Sequence, residues 1–299
     1  MPAQVAVGVS LKMYFGHRDA LEWFARVRER VREHPAVSSG AVELFVIPTY
    51  PQLLPAVEAF AGTRVRIGAQ DVAAADTGAF TGEVSAAELA EIGVEFAEIG
   101  HAERRRLFHE TDADTAAKAA AALRNGITPV LCVGETDRLT GADAAAATVA
   151  QLERDLEDTP AGRIIVAYEP VWAIGAPEPA PVAHIVEVAR GLRAALDADP
   201  SREGSCVIYG GSAGPGLLTE LGDTVDGLFL GRFAHDPGNL VAVLDEALVL
   251  SEARDEASAL AASRSPQSPR LHPDVETVGN PLRLDVPMQS RGPAEGDGA

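Results

Sequence analysis

The sequence predicts an α/β fold, a single closed (β/α)8 barrel followed by a disordered tail, and three observations carry that reading. Short apolar, β-branched runs alternate eight times with longer runs of helical period between Val5 and about Leu250. That alternation builds a parallel sheet covered by helices. The 299 residues suffice for one large barrel of this kind. Beyond Ser251 the periods lapse within a few residues, and Pro, Ser, Gly, Arg and Asp dominate. Such a composition buries too little apolar surface to fold. The expected organisation is a barrel over residues 1–250 and a low-complexity tail over 251–299.

Taken in order, Gln4 to Val9 reads as the first strand, running into Ser10-Leu11-Lys12-Met13-Tyr14. Arg18 to Arg32 follows as a helix with Leu21, Phe24, Ala25, Val27 and Val31 as its apolar stripe. Val42–Ile47 is the second strand, Pro51–Phe60 a short helix and Val65–Ala69 the third strand. A long glycine-bearing loop, Thr77 to Glu83, precedes a helix starting near Ser85. Long loops inside compact folds usually have a job, and its one phenylalanine, Phe80, suits a partner contact as readily as a ligand contact. Val94–Ile99 is the fourth strand and opens into Gly100-His101-Ala102-Glu103-Arg104-Arg105. Asp112–Leu123 is a helix, Thr128–Val133 the fifth strand and Gly141–Leu156 another helix. Arg163–Tyr168 is the sixth strand, Val182–Leu196 a helix striped by Ile185, Val188, Ala189 and Leu192, and Ser205–Tyr209 the seventh strand. Leu217–Leu221 is a short helix, Asp226–Leu230 the eighth strand and Pro237–Leu250 the last helix.

The stretch from Val166 to Ala176 organises the chemistry. Glu169 stands at the mouth of the sixth strand, Pro170 removes a ladder donor, and Val171 to Gly175 is too apolar for an ordinary solvated turn. An apolar flap closing over a carboxylate expels water and raises its basicity, which suits proton abstraction beside a carbonyl. Read alone, the same residues also fit a surface glutamate with a greasy loop packed on the barrel. Gly210-Gly211-Ser212-Ala213-Gly214 and Gly231-Arg232 follow the seventh and eighth strands. Glycine-rich turns at those two places commonly hold phosphate in an eightfold barrel. Lys12, His101, Glu169, Ser212 and Gly231 therefore converge on one rim by independent strand ends.

Composition bounds the rest. The formal net charge is −19 and no basic stripe is present, so nucleic acid is not an expected partner. A few backbone donors and one lysine still make a locally positive pocket for a small anion. Cys132 and Cys206 lie in apolar strands and read as core thiols. The seven histidines lack ligand spacing, so neither metal nor cofactor is expected. No signal peptide, transmembrane run or lipidation motif opens the sequence, which makes the cytoplasm the expected compartment and leaves no membrane partner.

From about Val5 to Leu250 the sequence resembles the triosephosphate isomerase family, whose fold is the TIM barrel. The resemblance rests on Lys12-Met13, Gly68-Ala69-Gln70, Gly78 to Glu83, Gly100-His101 with Glu103-Arg104-Arg105, Tyr168 to Gly175, Tyr209 to Ser212, and Asp226-Gly227 with Gly231. It implies that Glu169 is the base, that His101 is a neutral imidazole donating to the carbonyl oxygen, and that Lys12 supplies positive charge. Glu103 would position Lys12 or the proton relay, and backbone N–H groups at Gly175, Ser212, Gly231 and Arg232 would hold the phosphate. The loop around Thr81 resembles the family's dimer loop and implies a homodimer.

Four departures sit at the rim. Ser10 stands where the family usually has Asn, Ala102 where it has Ser and Arg232 where it has a second glycine, while the lid ends in Ala176-Pro177-Glu178-Pro179-Ala180. Ser10 leaves room near the reacting carbons, and Arg232 adds donors near the phosphate turn or reaches the distal end of a longer substrate. Gly8 to Lys12 and the proline-rich lid also resemble the triosephosphate-isomerase-like branch acting on L-erythrulose 1-phosphate. The expected activity is therefore isomerisation of L-erythrulose 1-phosphate to erythrulose 4-phosphate by an enediol shuttle. Ordinary triosephosphate isomerisation is one alternative, and a catalytically silent barrel that binds sugar phosphates is another.

Overall fold

Eight parallel strands close on one another in sequence order, β1 to β8, in the computed structural model, which describes residues 5–264. The chain runs β1 (Val5–Ser10), α1 (His17–Val31), α2 (Pro35–Ser38), β2 (Val42–Ile47), α3 (Leu53–Phe60), β3 (Arg66–Ala69), α4 (Ala86–Glu91) and β4 (Phe96–Ile99). It continues through α5 (Ala102–Phe108), α6 (Asp112–Arg124), β5 (Thr128–Val133), α7 (Gly141–Asp155), β6 (Ile165–Tyr168), α8 (Val182–Asp197), β7 (Cys206–Tyr209), α9 (Leu217–Leu221), β8 (Gly227–Leu230) and α10 (Pro237–Arg264). The ring closes where Ala6 to Val9 of β1 pair with Gly227 to Leu230 of β8.

Because successive side chains of a strand point to opposite faces, each strand divides its residues between the barrel interior and the helix layer. Val5, Val7 and Val9 join the cluster under the helices, whereas Ala6 joins the inner cluster with Phe45, Phe96, Val130, Ile165, Ile208 and Phe229. Both cysteines are buried in that inner cluster. Phe45 stacks on Phe96 at 4.7 Å and on Phe229 at 6.1 Å between ring centroids. Gly8 makes this aromatic plug possible, since a Cβ there would lie 2.3 Å from the Phe45 ring. The same parity aims Ser10, Glu98 and Glu169 inward at the C-terminal mouth, above the plug.

Two expectations change. On α1, Leu21 and Ala25 are exposed, and the buried stripe is Ala20, Trp23, Phe24, Val27 and Val31. Trp23 decides the rotation, donating its indole N–H to the Ala234 carbonyl at 2.9 Å. The last helix also passes the expected boundary at Leu250 and continues to Arg264. Arg254 pins this extension to the barrel by donating to Asp226 at 2.9 Å, Asp223 at 3.0 Å and the Val225 carbonyl at 3.0 Å. Alanines and charged residues of good helix propensity then carry it outward. The rest of the expected tail lies outside the described residues.

Asp226 is buried beside both Arg193 and Arg254. Arg254→Ala should leave one side of that carboxylate unpaired, costing about 1.5–3 kcal/mol. Urea unfolding of the variant beside the wild type measures this.

Candidate active site

Three strand ends deliver the reactive side chains. Ser10 closes β1 with its hydroxyl turned inward, and the chain then turns through Lys12, which adopts φ +46°. Gln70 stabilises this uncommon left-handed conformation by donating to the Lys12 carbonyl at 2.9 Å. Lys12 Nζ donates to Glu103 Oε1 at 3.0 Å. Burial works against the ammonium, but the carboxylates of Glu169 and Glu103 outweigh it and raise the Lys12 pKa. Glu103 is correspondingly lowered: burial opposes its charge, and Lys12 overcomes that opposition.

His101 is the N-cap of α5, and its Nδ1 accepts the Glu103 backbone N–H at 3.1 Å. A nitrogen that accepts a hydrogen bond carries no proton, so a ring held this way is a neutral imidazole with its proton on Nε2. That Nε2 lies 3.2 Å from Glu169 Oε2. Both atoms are buried, and neither meets an aligned hydrogen-bond partner.

Glu169 continues β6 inward, and its own N–H donates to the Val133 carbonyl at 2.8 Å. Gly210 supplies the space beside it, because a Cβ at that position would stand 2.5 Å from Glu169 Oε1. The apolar lid follows as a 3-10 turn over Val171–Ala173. Glu135 anchors its start, accepting from Trp172 Nε1 at 2.9 Å and from the Tyr168 hydroxyl at 3.1 Å, with His184 Nε2 at 2.9 Å. At the other end Ala180 N–H donates to the Tyr209 hydroxyl at 3.0 Å. Ser212 Oγ lies 3.0 Å from the Ala173 carbonyl and 2.8 Å from that of Ala176, so its single proton ties β7's turn to the lid.

These elements enclose a cleft of about 1250 Å³. Ser10, Lys12, Glu103, Glu169, Gly175, Ser212, Gly231 and Arg232 all line it, and His101 touches it through Glu169. The guanidinium of the exposed Arg232 reaches to within 3.9 Å of where a Gly175 Cβ would stand, placing a positive group beside the lid. Sequence reasoning missed Glu98, Glu135 and Tyr209. Glu98 offered one signal, a charged residue at an inward position of an otherwise apolar strand. An acid, a neutral N–H donor and an ammonium facing one cleft can move a proton between adjacent carbons of a hydroxy-ketone.

Residues 5–247 match the family model described as triosephosphate isomerase. The chain belongs to the triosephosphate isomerase family. Within it, the chain is 51% identical over 252 residues to an L-erythrulose-1-phosphate isomerase of Pectobacterium atrosepticum, covering 83% of this chain and 97% of that protein. It is 38% identical to the triosephosphate isomerase of Thermus thermophilus, covering 81% and 98%. The crystal structure of triosephosphate isomerase from Bartonella henselae superposes with a TM-score of 0.69 at 26% identity, covering 81% of this chain and 98% of that one.

The packing of Gly210 against Glu169 gives a direct test of this geometry. Gly210→Ala should displace the carboxylate and lower isomerase kcat by about 100-fold while the fold is retained. Steady-state rates alongside circular dichroism check both halves of that expectation.

Proposed function

We propose that this protein interconverts L-erythrulose 1-phosphate and erythrulose 4-phosphate, with Glu169 as the single base. The observation that carries the chemistry is the unaligned pair of buried atoms, His101 Nε2 and Glu169 Oε2, 3.2 Å apart. A substrate whose carbonyl oxygen faces the first atom and whose adjacent C–H faces the second would satisfy both. Glu169 then removes the proton from the carbon bearing the hydroxyl next to the ketone. The C–H electrons form the carbon–carbon double bond, and the carbonyl electrons move onto oxygen. The His101 Nε2–H and the Lys12 ammonium stabilise that oxygen. A proton passes between the two enediol oxygens, and Glu169, whose carboxyl proton exchanges with solvent while the enediol persists, delivers a proton to the former carbonyl carbon. The ketone has moved one carbon, and no atom is gained or lost.

Glu103 holds Lys12 in place, while Gly175, Ser212, Gly231 and Arg232 hold the phosphate under the lid. The tetrulose is favoured over a triose by the 51% identity to the Pectobacterium atrosepticum isomerase and by the small Ser10 at the reacting end of the cleft. Ordinary triosephosphate isomerisation is the second reading, favoured by the Thermus thermophilus relative and by the presence of the same three reactive groups. No described helix is long and apolar enough to cross a membrane. We place the protein in the cytoplasm.

The protein acts as a homodimer. Phe80 is 55% exposed on the loop around Thr81, and Met13 is 90% exposed beside Lys12. Docking that loop beside the partner's Lys12 turn would cover both side chains.

The substrate assignment is tested by kcat/KM for L-erythrulose 1-phosphate and dihydroxyacetone phosphate side by side, with Glu169→Asp as control. A tetrulose preference of about 100-fold or more is expected, and Glu169→Asp should slow both reactions. A preference for dihydroxyacetone phosphate would favour the second reading. For the assembly, Phe80→Asp should halve the mass seen by sedimentation equilibrium; an unchanged mass would remove this loop from the interface.

A further inference from the structure

Glu98 is a fully buried acid that the proton shuttle leaves without a task. It occupies the inward register of β4 two residues after Phe96 and is 3% exposed. Its Oε2 accepts the Ser10 hydroxyl at 2.7 Å, and its Oε1 lies 3.9 Å from His101 Nε2. The neighbouring interior positions, Phe96, Val130 and Cys132, are apolar, so a hydrocarbon side chain would suit this layer without the cost of burying a carboxyl. Burial pushes the Glu98 pKa up, and the Glu169 charge adds to it. As a carboxylate, or with its proton on Oε1, Glu98 accepts the Ser10 hydroxyl through Oε2.

Ser10, unlike Glu98, lines the cleft. A serine hydroxyl has one proton and two lone pairs, and without a fixed partner it can either donate or accept. Glu98 removes that freedom. Once the proton points at Glu98, Ser10 Oγ can only accept from the cleft. The one free hydroxyl of a triose ketose phosphate sits on the carbon that takes part in the shuttle. A four-carbon ketose phosphate carries one more, on the hydroxymethyl attached to that carbon.

We propose that Glu98 is a specificity-determining positioning residue, which makes Ser10 Oγ a fixed acceptor for the additional hydroxyl of a four-carbon ketose phosphate. This rests on the substrate reading given above. The role is carried through Ser10, so Glu98 itself need not touch substrate. A site built to pair with a substrate hydroxyl discriminates against the analogue lacking it far more strongly than a merely roomy pocket does.

The test measures kcat and KM for L-erythrulose 1-phosphate and dihydroxyacetone phosphate in wild type, Ser10→Ala, Glu98→Leu, Glu98→Gln and the Ser10→Ala/Glu98→Leu double variant. The preference ratio should fall about tenfold or more in Ser10→Ala and in Glu98→Leu, chiefly through a raised KM for the tetrulose. The double variant should be no worse than the poorer single, because the two residues act as one unit. Glu98→Gln keeps a carbonyl acceptor for Ser10 and should stay within about threefold of wild type. Equal losses on both substrates, leaving the ratio within about threefold in Ser10→Ala and Glu98→Leu, would overturn the proposal. Failure of Glu98→Leu to fold leaves Ser10→Ala and Glu98→Gln to decide it. The wild-type ratio tests the substrate reading, whereas the change of ratio between variants tests Glu98, so each can fail without the other.

Discussion

The hydrogen bond from the Glu103 backbone N–H to His101 Nδ1 is the constraint on which the site depends. It fixes which ring nitrogen carries the proton and turns that N–H toward Glu169, 3.2 Å away. The bond exists because α5 begins immediately after β4, so the first free N–H groups of the helix meet the ring that caps it. The same residue that donates this backbone proton holds Lys12 through its side chain. One residue, Glu103, thus orients both the imidazole and the ammonium.

Around that constraint the barrel solves an electrostatic problem. Glu98, Glu103 and Glu169 crowd a small volume of a chain whose formal net charge is −19. Lys12 balances part of that charge at the mouth, and Arg232 adds a second positive group beside the lid. The lid is anchored by Glu135 at its entrance and by Tyr209 and Ser212 on the far side. Pro177 and Pro179 lie between those anchors and limit the φ changes available to the segment.

Much of this was legible in the sequence because it follows from period and position. β2 and β5 carry the bounds that their apolar runs predict, and the residues just past each strand arrive at one rim because a closed parallel barrel allows nothing else. What escaped depended on packing across long sequence distances. The rotation of α1 is set by an indole reaching Ala234, more than two hundred residues away, which helical period alone does not register. The extension of α10 depends on Arg254 meeting Asp226 after the barrel has closed. Glu98 was hidden differently: its inward parity was readable, but its meaning required Ser10 and His101 to be beside it.

The central claim is that one carboxylate carries a proton between neighbouring carbons, and the most direct measurement is turnover of L-erythrulose 1-phosphate in deuterium oxide followed by proton NMR. The account predicts deuterium on the former carbonyl carbon of the erythrulose 4-phosphate formed, and loss of both turnover and exchange in Glu169→Gln. Turnover in Glu169→Gln at the full rate, with deuterium still entering the product, would contradict the role given to Glu169.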